Sequence, residues 1–219
     1  MAVAYVAAVT EHFIDTPEDP TTDRNQVIAA IVLGIAAVLT ALAAYNAALA
    51  DGNALQGYTN STRTLNDANA FYAQGNSTSS ADQALFVEYA TANFQAEEER
   101  AQYLLTLMRP ELVEAVEWWE STDGAVTPFD EVDDNPYTVE DFTTAAALEE
   151  QAGVEFDEGA EADDKGDVFE LAAVFFALTL FFAGVATLFA KRSVTVALLG
   201  VGGVTLVVGA VNLVRAFGA

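Results

Sequence analysis

Val27-Ile-Ala-Ala-Ile-Val-Leu-Gly-Ile-Ala-Ala-Val-Leu-Thr-Ala-Leu-Ala-Ala-Tyr-Asn-Ala-Ala-Leu-Ala50 runs for 24 residues without a charged side chain. As a helix rising about 1.5 Å per residue it extends roughly 36 Å, enough to cross a bilayer. Small residues recur along it at Ala30, Gly34, Ala37, Ala41, Ala44 and Ala48, at alternating spacings of four and three. That spacing predicts a seam along which membrane helices approach closely. The register continues through Leu55, Tyr58, Thr62, Leu65, Asn69 and Tyr72. The helix is therefore expected to leave the membrane and carry a packing face into water, although an Ala-rich run also yields such spacings by composition alone.

Outward from this run, two facts need reconciling. The chain is 53% hydrophobic, yet it has 33 acidic residues against eight Lys plus Arg. Segregation resolves the conflict: three long apolar runs enclose a strongly acidic middle. Between Asp51 and Asp167 there are 27 Asp and Glu against Arg63, Arg100, Arg109 and Lys165, a net charge of −23. Such a segment repels itself at low salt and is relieved by screening. With only two lysines in the chain, the balance resembles proteins of halophilic archaea, whose surfaces face molar salt. A basic nucleic-acid footprint is missing, so DNA and RNA are not expected partners. The chain has no cysteine, and His12 is its single histidine. These counts exclude disulfides, thiol catalysis, Cys-ligated metal centres and multi-His metal sites within one chain.

In chain order, residues 1–26 form an N-terminal segment. Val3, Val6, Val9 and Phe13 can make one face of a short interfacial helix, and Pro17 and Pro20 break the chain before the first span. No basic region precedes the opening apolar residues, against a conventional signal peptide. Ala48-Leu49-Ala50 offers an alternative, cleavage before Asp51, opposed by the acidic residues upstream. Residues 27–50 are the first transmembrane helix, and 51–122 are expected to form a helical hairpin. Gly75-Asn-Ser-Thr-Ser-Ser80 reads as its turn. Ser80 and Gln83 then read as a capping box for a helix from Ala81 to Met108. Pro110 starts or kinks a further helix, and Trp118-Trp119 reads as core packing, a partner contact or an interfacial belt. Residues 123–167 read as an acidic loop with a short helix from Thr138 through Gln151. The tract from Glu155 to Asp167 is expected to be flexible and solvated. Residues 168–190 and 194–214 are the second and third spans, joined so closely that they must form an antiparallel hairpin.

The expected fold class is therefore all-α: an integral membrane protein with three transmembrane helices and an extracytoplasmic helical hairpin between the first and second. Orientation follows from Lys191 and Arg192, the only basic pair, in the tight turn between spans two and three. A cytoplasmic turn places the N-terminus inside and residues 51–167 outside, in a multi-pass cell-membrane protein. Arg24 agrees with this orientation and Arg215 opposes it. The glycosylation sequons beginning at Asn60 and Asn76 fall in the external part.

No catalytic, cofactor-binding or metal-ligating residues are assigned, and no cofactor is expected. Carboxylate pairs are inevitable in so acidic a chain, and nothing marks one pair above the background. Asp130, Glu131, Asp133 and Asp134 lack the spacing and glycine of a calcium loop. Within the spans the only charged residue is Glu170, beside the neutral Asn212, Thr40, Thr179, Thr187 and Thr205. These offer a single chain no proton or ion relay, although an oligomer could line a pore with threonines.

Leu65-Asn-Asp-Ala-Asn-Ala-Phe-Tyr-Ala-Gln74, downstream of an Ala-rich span, resembles a domain-of-unknown-function family of small three-span membrane proteins from bacteria and archaea. The similarity extends to a long second helix and to a closing pair of spans joined by a basic turn, here Lys191-Arg192. The family often has Trp near the position of Asn69 and a basic residue soon after Gln74, and this chain departs from both. The region from Ser121 to Asp167 looks like an insertion. The resemblance implies the three-span architecture and no activity. The expected function is non-enzymatic, an assembly or interaction module working through its external helical hairpin. Membrane lipid surrounds it, and its partner is a second copy or another membrane protein. The alternatives are an accessory or sensor subunit of a membrane complex and, less favoured, a small oligomeric channel.

Overall fold

The computed structural model describes residues 20–122, 126–189 and 191–218, with side chains from Arg24 onward. The interfacial helix expected near the N-terminus lies outside these residues. The described residues form five helices in order: α1 Pro20–Phe94, α2 Glu98–Leu107, α3 Pro110–Ser121, α4 Glu140–Ala186 and α5 Arg192–Gly218. No strand occurs among the described residues. Three of these helices, α1, α4 and α5, contain stretches long and apolar enough to cross a membrane, consistent with a multi-pass membrane protein. The chain divides into two units, Met1–Leu55 with Gly159–Ala219, and Gln56–Glu158.

The first unit contains the apolar stretches. Its core joins Ala43 and Ala47 of α1, Phe169, Ala172 and Phe176 of α4, and Leu213 and Ala216 of α5. Small residues opposite phenylalanines let the helices interlock. A Cβ on Gly209 would stand 2.7 Å from the Phe176 ring, and Phe176 is wholly buried and has no room to retreat. A Cβ on Gly202 would sit at an ordinary 3.6 Å from Phe182. As α4 advances from Phe176 to Phe182, α5 recedes from Gly209 to Gly202, so the two run antiparallel. Their connection is held by the Thr195 hydroxyl, which donates to the Phe189 carbonyl at 3.0 Å. α1 and α4 meet where Gly166 faces Ala50, whose Cβ would lie 3.5 Å from an added methyl.

The second unit pairs the later part of α1 with the beginning of α4, also antiparallel. Ser61 donates to the Ala152 carbonyl at 2.7 Å, Thr64 to Glu155 at 2.7 Å, and Tyr72 to Glu149 at 3.1 Å. Gly75 is buried beneath the Phe142 ring, only 2.7 Å from where a Cβ would be. The turn expected at Gly75–Ser80 is therefore not made; α1 continues through it. Gly75 serves close helix approach, and the Ser80 hydroxyl donates back to the Asn76 carbonyl at 2.7 Å instead of capping a new helix.

The chain reverses later, at Gln95–Glu97, where Ala96 takes a left-handed φ of 57°. α2 and α3 fold back on the end of α1 around Phe86, Tyr89, Ala92, Leu104, Met108, Leu112 and Val116. Burial of each large apolar side chain here contributes roughly 1.5–3 kcal/mol. Pro110 occupies the first turn of α3, where its missing N–H has no intrahelical bond to lose. The acidic tract Glu155–Asp167, expected as a flexible approach to the membrane, is helical throughout. Its small residues Gly159 and Gly166 are buried, while Asp157, Glu158, Glu161, Asp163, Asp164 and Asp167 are exposed. An acidic sequence remains helical here because one narrow face packs and the charges stay in water.

Candidate functional site

The candidate site is a packing surface on α1. Within the chain, the buried small residues of the first apolar run and the turn of helix after it are Ala29, Ala36, Ala43, Ala47, Ala50 and Ala54. Spacings of seven, four and three keep them on one stripe. The residues singled out from sequence, Ala30, Gly34, Ala37, Ala41, Ala44 and Ala48, are all exposed. Four of them stand one position after a buried alanine, a rotation of about 100° around the helix. A Cβ on Gly34 would meet nothing within 4 Å. α1 therefore carries two neighbouring faces of small residues; one is filled by the chain's own helices and the other is open.

Larger side chains flank the open face, including Ile31, Val38, Leu42, Tyr45 and Leu49, all exposed. Ridges of this kind beside a groove of alanine and glycine suit another helix lying close, because dispersion contacts grow as the backbones approach. Lys191 and Arg192 are exposed at the connection between α4 and α5, with Arg192 opening α5.

The polar groups of the apolar stretches are engaged inside the chain. Thr40 donates to the Ala36 carbonyl at 2.7 Å, and Asn212 to Val208 at 2.9 Å. Thr179 is wholly buried, and its hydroxyl lies 2.8 Å from that of Thr205, joining α4 to α5. Thr187 donates to the Gly184 carbonyl at 2.6 Å. Such back-bonding satisfies hydroxyls on their own helix and leaves little to line a polar pathway. Glu170 is exposed near the start of the α4 apolar stretch.

The second unit also holds a polar cluster. Asp82, 4% exposed, accepts from Arg109 Nε at 2.6 Å and from the Tyr137 hydroxyl at 2.9 Å. Arg109 also donates to the Thr138 carbonyl at 2.6 Å and to Glu111 at 3.0 Å, and it stands over the Tyr137 ring at 5.2 Å. Burial works against the Arg109 charge, but its bonds to Asp82 and Tyr137 outweigh that and raise its pKa. Burial likewise raises Tyr137. The cluster ties α1, the start of α3 and the loop before α4 together. Sequence spacing gives no signal for it, since Asp82, Arg109 and Tyr137 belong to separate elements. Nearby, burial and a hydrogen bond to Glu120 push the Tyr89 hydroxyl up to about 12. No group of His, Asp and Glu able to hold a metal occurs among the described residues.

Comparison with known proteins finds no family model, no curated protein and no solved structure that matches the chain.

Proposed function

We propose that this chain is a non-enzymatic assembly module of the membrane. It spans the bilayer three times and associates through the open face of its first span, with a second copy as the occupant. The observation carrying this reading is the exposure of Ala30, Gly34, Ala37, Ala41, Ala44 and Ala48 beside the filled alanine stripe on the same helix. The positive-inside rule favours a cytoplasmic turn at Lys191 and Arg192, and in that orientation the N-terminus is inside and residues 51–167 are outside. The external part then holds α2 and α3 folded back on α1, the helical hairpin through which copies or a partner are engaged. Its net charge of −23 over Asp51–Asp167 suits a medium of high salt.

The test is crosslinking in native membranes, followed by mass determination of the complex purified in mild detergent at high salt. Gly34→Leu combined with Ala41→Leu fills the open groove without touching the chain's own core. Loss of the crosslinked species with unchanged helicity supports the reading. Crosslinking equal to that of the unaltered chain overturns it. A defined second protein in the purified complex would instead make the chain an accessory or sensor subunit.

A further inference from the structure

Six residues, Glu161, Asp164, Lys165, Val168, Arg215 and Ala216, line a cleft of about 240 Å³ between α4 and the last turn of α5. Two of the chain's eight basic residues meet there. Neither Lys165 nor Arg215 has an ion pair among the described residues, whereas Arg100 and Arg109 are each paired twice. In a chain with 33 acidic residues, two cations that line one cleft without an ion pair to any described residue are open to an external anion. Two carboxylates share the lining, however, so a simple anion gains little net attraction and a dipolar ligand fits better.

The order of the lining along α4 decides which dipole. Glu161, Asp164, Lys165 and Val168 stand at i, i+3, i+4 and i+7, on one helix face over a rise of roughly 10 Å. Going toward the apolar stretch, the groups are carboxylate, then ammonium, then aliphatic. A glycerophospholipid bearing a terminal amine presents the complementary order: ammonium outermost, phosphate next, then glycerol and hydrocarbon. We infer that this cleft binds one such lipid. Its phosphate lies between Lys165 and Arg215, its primary ammonium faces Glu161 and Asp164, and its first methylenes rest on Val168 and Ala216. Guanidinium and ammonium donors strengthen on an ionised phosphate, and the membrane interface screens them less than bulk water does. The inference stands on the membrane reading of the three apolar helices and is independent of the assembly role.

The test is lipid retention by the full chain, measured by native mass spectrometry after exchange in detergent containing equal phosphatidylethanolamine and phosphatidylglycerol. The expected result is one retained lipid per chain, with at least a fivefold preference for phosphatidylethanolamine. K165Q with R215Q should remove the retained lipid, while K191Q with R192Q, an equal charge loss at the other end of the helices, should keep it. E161Q with D164N, both exposed positions, should abolish the preference while retaining lipid. Equal retention of the two lipids by the unaltered chain overturns the assignment. So does unchanged retention in K165Q/R215Q, or an unchanged preference in E161Q/D164N.

Discussion

The two units solve the same packing problem with different materials. In Gln56–Glu158, α2 and α3 gather large side chains, among them Phe86, Leu104, Met108 and Leu112, and Arg109 joins Asp82 at the edge. In the unit holding the apolar stretches, alanine, glycine and phenylalanine carry the contacts, as where Gly209 receives Phe176. Removing apolar area from water drives the first arrangement. Inside a bilayer no such drive exists, because lipid tails are as apolar as leucine, and close van der Waals approach takes over. The cost of a substitution should therefore follow lost volume in one unit and added volume in the other.

The largest effect is expected in Gln56–Glu158. Leu112→Ala empties a wholly buried position and should cost about 2–5 kcal/mol in thermal or chemical unfolding of that unit. In the apolar unit the informative change is the opposite one. Gly209→Ala sets a methyl against a ring that has no room to move and should cost about 1–3 kcal/mol. Gly34→Ala, with no neighbour in its own chain near the new methyl, should be neutral or stabilise by up to about 1 kcal/mol. Equal costs for the two glycines, measured by unfolding in detergent, would break the contrast.

A smaller effect appears only at high pH. Tyr89 ionises at about 12 in the fold against 10.0 ordinarily, so the unfolded chain loses this proton first. Its stabilisation is complete below pH 10 and is lost as pH rises toward 12. Melting temperatures between pH 9 and 12 should decline, and Tyr89→Phe should flatten part of that decline. The smallest effect is Thr179→Val, which removes the hydroxyl pair with Thr205 but keeps shape. About 0.6 kcal/mol is expected in detergent unfolding, and a loss several times larger would mean that hydrogen bonds, and not close packing, hold α4 to α5.

How far the fold was legible varied with how local its cause was. The three apolar helices and the tight α4–α5 connection follow from uninterrupted hydrophobic length and from the few residues between spans. The reversal point did not. Gly75 with its following polar residues has turn chemistry, and the Phe142 ring that explains it is 67 positions away. The true corner at Ala96 lacks the glycine that a left-handed residue favours, so no local signal marked it. Trp119 was readable as a packing residue, and its ring stands edge-on 4.9 Å from Phe86. The Asp82–Arg109 pair was invisible because helix spacing relates only near neighbours.

By itself the sequence determined the helical class, the three stretches able to cross a membrane, the segregation of charge, and the presence of small residues close enough in spacing to form a packing stripe. Those properties follow from residue type and period along one helix. Only the tertiary structure decided which stripe is filled. Ala29, Ala36, Ala43 and Ala47 differ from Ala30, Ala37, Ala44 and Ala48 by one position and by no chemistry. At Ala43 and Ala47 the difference arises because α4 and α5 bring Phe169, Phe176 and Leu213 to that side of α1, while Ala44 and Ala48 stay exposed.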